Sequence, residues 1–88
     1  MKRAHVVVHG EVQGVFFRDT VRSAAGEHGV SGWVRNNSDG SVEAVFEGSE
    51  DAVHAVVAVC REGPRAASVG EVEVSSEEPE GVEGFEVR

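Results

Sequence analysis

The sequence predicts an α+β fold in which two helices pack on one face of an antiparallel sheet. Two segments with helical spacing of apolar residues separate segments that are β-branched or alternate between polar and apolar, so the elements follow the order β-α-β-β-α-β. This order is typical of the ferredoxin-like sandwich. With 88 residues, the chain is expected to form a single domain spanning 1–88.

The first half of the chain predicts a strand, a helix and a hairpin. A β-branched run makes residues 4–9 a buried strand, and helical spacing of apolar residues from Phe17 predicts a helix that ends at Gly29. Residues 32–36 then form the second strand, in which Trp33 is expected to pack in the core. A turn over 37–40 leads into a third strand that alternates at Val42, Ala44 and Phe46.

The second half predicts another helix and two strands. Ser49 is a suitable N-cap, and one apolar face follows it until Gly63 and Pro64 end the helix. Cys60 lies on that face and is expected to be a small core residue. A fourth strand is predicted at Val69, Val72 and Val74, an acidic loop at Ser75 to Gly81, and a short last strand at Phe85 and Val87.

Composition excludes several classes of function. Sixteen acidic residues against eight basic ones give a net charge of −8, which disfavours nucleic acid and anionic membranes. The only early apolar run is three valines long, and the single cysteine cannot form an internal disulfide, so we expect a soluble cytoplasmic protein. The four histidines lack metal-ligand spacing, and no cofactor is expected. Base composition of the genome and adaptation to high salt both remain possible origins of the acidic excess.

The segment from Gly10 to Arg18 carries the strongest functional signal. A strand ends there, the chain turns on two glycines, and a helix begins at once. Glycine lets backbone N–H groups converge, and the first N–H groups of a helix have no partner within it, so the segment predicts an anion-binding loop. An arginine opposes the dipole at a helix N-terminus, but Arg18 offers the donors that grip phosphate oxygens in pairs.

The predicted topology brings Asn36 to this loop. The first and second strands are joined by a helical crossover, so they run parallel with one strand between them. Their carboxyl ends then lie at the same sheet edge, about 10 Å apart. Arginine and asparagine side chains together with a phosphate could span that gap.

Two segments of the chain resemble the two signatures of the acylphosphatase family. They are residues 8–18 (VHGEVQGVFFR) and residues 32–42 (GWVRNNSDGSV), the second followed by Gly48. The resemblance implies hydrolysis of acyl phosphates to a carboxylate and inorganic phosphate without a metal. By the same resemblance Arg18 binds phosphate and Asn36 positions the attacking water. The phosphate-binding loop would consist of five consecutive residues: Gln13, Gly14, Val15, Phe16 and Phe17. Asn37 departs from the family, which often has a hydroxyl residue there, and a modest effect on rate is expected.

The chemistry is consistent with so small a site. A carboxylate leaving group has a conjugate acid with a pKa of about 4, so it departs without a general acid.

A monomer acting on small acyl phosphates is expected, with no nucleic acid or membrane partner. A non-catalytic phosphate-binding module of the same fold is the main alternative. An RNA-recognition domain shares the element order but needs a basic face with exposed aromatic residues.

Overall fold

The computed structural model describes all of residues 1–88 as five strands and two helices. The elements are β1 (Lys2–Glu11), α1 (Phe17–His28), β2 (Ser31–Asn36), β3 (Val42–Gly48), α2 (Glu50–Glu62), β4 (Ser68–Glu77) and β5 (Phe85–Val87). The predicted element order and the short last strand are therefore confirmed. None of the helices has both the length and the apolar character needed to cross a membrane.

The sheet has the strand order β4-β1-β3-β2-β5. Its first four strands pair antiparallel, which makes β1 and β2 parallel neighbours across β3, as predicted. The sheet is mixed, because β5, which lies at one edge, pairs parallel with β2. The strand β4 ends at the same end of the sheet at which β2 begins. The segment between β4 and β5 crosses the sheet at that end, so β5 starts beside the first residues of β2 and runs in the same direction.

Two strand boundaries differ from the prediction. The strand β1 continues to Glu11, with a register shift between Val8 and Gly10. A Cβ atom on Gly10 would lie 2.3 Å from the Ser68 carbonyl oxygen, so this glycine serves the close approach of β4. The predicted acidic loop from Ser75 is also wrong in its first residues, because β4 extends to Glu77. An edge strand can expose polar side chains while its backbone stays paired, so polarity there did not indicate a loop.

The core lies between the sheet and both helices. Valine and alanine supply most of it: Ala4, Val6, Val8, Val21, Ala25, Val34, Val53 and Val56 are all at most 1% exposed. Cys60 is buried among them, and its burial raises the pKa of the thiol to about 12, as befits a packing residue. Trp33 was wrongly expected in the core: Val34 faces the helices, and Trp33 lies half-buried on the other face, under the guanidinium groups of Arg35 and Arg88.

Candidate active site

The loop between β1 and α1 contains two residues in the left-handed conformation. Gly14 has φ of 73°, and Phe16, which occupies the N-cap position of α1, has φ of 63°. Phenylalanine has no side-chain acceptor, so the helix begins without a side-chain cap. The first N–H groups of α1 therefore remain available to an anion, as the sequence predicted for this loop.

Arg18 and Asn36 line one cavity at the end of this loop. The cavity has a volume of about 270 Å³, and its lining consists of Val12, Gly14, Phe16, Phe17, Arg18, Asp19, Asn36 and Val87. The sheet topology thus places both predicted catalytic residues at one site. Three of the five predicted loop residues line it as well.

Asn36 is the last residue of β2 and contributes an unusual buried atom. Its side-chain oxygen Oδ1 is inaccessible to solvent and accepts no hydrogen bond from the protein. A buried polar atom without a partner costs about 1–3 kcal/mol, and such atoms are rare in native proteins. Asn36 therefore has an acceptor that the protein does not use, and its side chain lines a cavity that also contains a cationic side chain.

Arg18 is held in the cavity by the other end of the chain. Its Nη1 donates a hydrogen bond of 3.1 Å to the backbone oxygen of Arg88, and the backbone N–H of Arg88 donates to the oxygen of Val34 at 2.8 Å. No aspartate or glutamate side chain lies within ion-pair distance of Arg18, although Asp19 lines the same cavity. Most of the five guanidinium donors are thus unused by the protein.

Gln13 does not place its side chain in the cavity. Its Nε2 donates to the backbone oxygens of Asn37 and Ser41 at 2.7 and 2.9 Å, which ties the loop to the β2–β3 turn. Val15 packs against the core and does not line the cavity either. The binding role predicted for these two residues belongs to their backbone N–H groups and stays a prediction.

The β2–β3 turn accommodates Asn37 in a network of its own. The Asn37 Nδ2 donates to Ser41 Oγ at 3.0 Å, and Ser41 Oγ donates to Asp39 Oδ1 at 2.6 Å. The hydrogen bond from Ser41 Oγ, with a second one from the Ser41 backbone N–H, holds the pKa of Asp39 below its ordinary value. The amide of Asn37 thus supports the turn directly after Asn36.

Sequence reasoning missed the last strand as part of the site. Val87 lines the cavity, and the backbone of Arg88 holds Arg18. The alternation at Phe85 and Val87 predicted a strand, but nothing local showed which strand it would pair with.

A second, larger cavity lies between α2 and the β4 edge and contains none of the motif residues. It has a volume of about 390 Å³, and Val53, Val57, Arg61 and Val74 are among its lining residues. Volume alone does not identify a reaction site. The smaller cavity combines the open helix N-terminus, a guanidinium group with most of its donors unused and the side chain of Asn36, so we take it as the candidate active site.

Comparison with known proteins shows the family of the chain. The family model of acylphosphatase matches residues 4–87. The chain belongs to the acylphosphatase family. It is 59% identical over 86 residues to the acylphosphatase of Haloarcula marismortui, covering 98% of this chain and 94% of that one.

Solved acylphosphatase structures share the fold. The crystal structure of acylphosphatase from Bacillus subtilis matches with a TM-score of 0.96 and 34% identity, covering 100% of this chain and 99% of that one. An acylphosphatase from Coxiella burnetii matches with a TM-score of 0.94 and 41% identity over 99% of this chain and 92% of that one. The protein is accordingly an acylphosphatase-family enzyme that hydrolyses acyl phosphates.

Proposed function

We propose that this acylphosphatase works without a metal, by holding the phosphate on the β1–α1 loop and Arg18 while Asn36 orients the attacking water. The observation that carries the proposal is that Asn36, whose side-chain oxygen has no protein partner, lines the same cavity as Arg18. An amide side chain suits a water molecule, because its oxygen accepts and its NH2 group donates hydrogen bonds.

The phosphate site combines backbone and side-chain donors. The loop N–H groups and the helix N-terminus supply partial positive charge, and Arg18 adds a full one. A planar guanidinium can bind two phosphate oxygens at once. Both kinds of donor stabilise charge on the oxygens that surround phosphorus in the transition state.

The reaction itself requires one bond exchange at phosphorus. The water oxygen forms a bond to phosphorus while the bond to the carboxylate oxygen breaks and its electron pair leaves with the carboxylate. Asn36 is too weak a base to remove a proton, so the proton of the water passes to a phosphate oxygen. The products are a carboxylate and inorganic phosphate, and the leaving group needs no acid.

The same features support the expected setting of the enzyme. We infer a cytoplasmic monomer acting on small acyl phosphates and not on nucleic acid, because the net charge is −8 and the only cysteine is buried. Only four large apolar residues are exposed, and three of them line the two separate cavities, so no broad apolar patch is left for a partner.

Turnover of acetyl phosphate in the presence of EDTA tests the proposal. We expect Arg18→Gln to lower kcat/KM by about 1000-fold, because a charge-stabilising donor is lost at the transition state. Arg22→Gln is the matched control, because Arg22 lies one turn along α1, is exposed and forms no hydrogen bond or ion pair through its side chain. Phosphate binding without turnover in the unmodified protein would favour the non-catalytic module instead, and turnover that EDTA abolishes would contradict the metal-free reaction.

A further inference from the structure

The larger cavity, between α2 and the edge strand β4, is open because the helices do not cover β4. Val74 pairs in register with the fully buried Val6, so both side chains face the helices, yet Val74 is 42% exposed. Ala58 of α2 also lines the cavity, and its single methyl group leaves the space unfilled. The volume of about 390 Å³ lies within the range of about 300 to 1000 Å³ that is typical of small-molecule sites.

The charged groups around this cavity are all basic, although the chain is strongly acidic. The lining contains Lys2, His54 and Arg61 but no aspartate or glutamate, whereas the whole chain has 16 acidic residues against eight basic ones. Neither Lys2 nor Arg61 forms an ion pair. The only side-chain hydrogen bond among the three runs from Lys2 Nζ to Ser76 Oγ at 3.2 Å. Unpaired cations beside apolar surface are complementary to an anion with an apolar body.

The basic residues lie at the two ends of the cavity. Lys2 pairs in register with Gly48, and α2 begins at Glu50, so Lys2 lies near the start of the helix. His54 belongs to the first two turns of α2, whereas Arg61 lies in its last turn. Seven residues on one helical face separate these two by about 10 Å along the helix axis. The cavity therefore has nitrogen donors at each end and apolar helix residues between them.

We propose that this cavity is a second binding site, which takes an elongated ligand with a carboxylate at each end and an apolar chain between them, such as a medium-chain dicarboxylate. One carboxylate contacts Lys2 and His54, and the other contacts Arg61. The chain between them covers exposed surface of Val74 and Ala58, which favours binding. The site shares no lining residue with the candidate active site, so the inference is independent of the proposed function.

Titration of isotopically labelled protein with azelate, followed through amide chemical shifts in NMR spectra, tests the site. Azelate has two carboxylates joined by seven methylene groups. We expect shifts at residues 53–61 and 74–76, and saturating inorganic phosphate should not displace the ligand. Nonanoate has the same number of carbons but one carboxylate, and glutarate is too short to reach both ends. Each should bind at least about 3-fold more weakly than azelate, because one ion pair is lost.

Three variants test the residues. Lys2→Gln and Arg61→Gln should each weaken the binding of azelate by about 3- to 5-fold and narrow its advantage over nonanoate. Arg65→Gln is the matched control, because Arg65 is exposed, forms no ion pair and does not line the cavity. Ala58→Leu places a larger side chain in the cavity, and leucine is a good helix former, so this variant should keep α2 and lose azelate binding.

Four results would overturn the inference. They are the absence of saturable shifts with azelate, equal affinities for azelate and nonanoate, displacement of azelate by phosphate, and equal weakening in Arg61→Gln and Arg65→Gln. Displacement would place azelate in the candidate active site, and equal weakening would mean that only the net charge matters. Failure of the proposed function is distinguishable, because it is measured by turnover of acetyl phosphate and not by azelate binding.

Discussion

Two buried polar groups at opposite ends of the sheet have contrasting environments. Asn36, at the carboxyl end of β2, has a side-chain oxygen with no partner. Glu47, near the carboxyl end of β3, is 2% exposed, and its carboxylate accepts from Arg3 Nη1 at 2.7 Å and from three backbone N–H groups. Those groups belong to Glu80, Gly81 and Val82, at 2.8, 3.1 and 3.1 Å.

The difference separates a structural group from one to which we assign a role in the reaction. Glu47 fastens the segment that crosses the sheet from β4 to β5, so its acceptors are fully used within the protein. The hydrogen bonds that Glu47 accepts from the backbone N–H groups of residues 80–82, together with the bond from Arg3, lower the pKa of its carboxyl group to about 2 despite the burial of the side chain. A group that must bind a substrate or water cannot be satisfied in this way, so the site retains a local cost that the rest of the fold avoids.

Removing the charge of Glu47 should have the largest effect on stability. Glu47→Gln leaves Arg3 short of a buried partner, and we expect the free energy of unfolding to fall by about 3 kcal/mol, measured by urea denaturation. Glu77→Gln is the matched control, because Glu77 binds the same arginine at 2.8 Å but has a side chain 41% exposed. That variant should lose at most about 1 kcal/mol. Equal losses in the two variants would show that burial of Glu47 is unimportant.

Asn36→Ala should show the opposite behaviour. We expect kcat/KM to fall about 100-fold, because the variant lacks the amide that orients the water in the proposed reaction. The free energy of unfolding should change by less than about 1 kcal/mol, because Oδ1 has no protein partner to lose. Measuring both quantities on one preparation makes the contrast with Glu47→Gln direct. A normal rate would remove the water-orienting role, and a large loss of stability would make Asn36 a structural residue.

Gln13→Ala should affect both properties by smaller amounts. Loss of its two hydrogen bonds to the β2–β3 turn would let Asn36 shift relative to the loop, and we expect kcat to fall about 10-fold with little change in KM. Unfolding should become easier by about 1–2 kcal/mol. A rise in KM with kcat unchanged would instead place the Gln13 side chain in substrate binding.

Acid should gradually remove the contribution of Glu47. A carboxyl group whose pKa falls from 4.5 in the unfolded chain to about 2 in the folded protein stabilises the fold above pH 4.5 and loses that contribution as the pH falls toward 2. We expect the stability difference between the unmodified protein and Glu47→Gln to be constant from pH 7 to about 5 and to narrow below 4.5. Unfolding curves of both proteins across this range measure it, and a difference that persists to pH 2 would contradict the role of the charge.

Much of the fold could be predicted because it depends on local patterns. The spacing of Val53, Val56 and Cys60 indicated the second helix, and the β-branched run indicated β1. The polar end of β4 could not be recognised, since Ser75 and Ser76 are strand residues only through their pairing with His5 and Ala4. The direction of β5 likewise depends on a crossing segment that is held by a distant carboxylate.

The candidate site divides in the same way. The glycine loop, Arg18 and Asn36 were visible because glycine dihedrals and strand ends are local properties, and the element order then brought them together. The two partners of the Gln13 side chain lie 24 and 28 residues away, and the partner of Arg18 lies 70 residues away. No local pattern specifies such contacts.

The sequence by itself therefore determined the order of the elements, the open N-terminus of α1 and the presence of Arg18 and Asn36 at one sheet edge. Only the tertiary structure decided which polar groups are satisfied. Glu47 reads like any other glutamate in an acidic chain, and Asn36 like any turn asparagine. Burial and the positions of donors from distant segments make the first a structural anchor and leave the oxygen of the second without a protein partner, because hydrogen-bond satisfaction depends on which groups meet after folding.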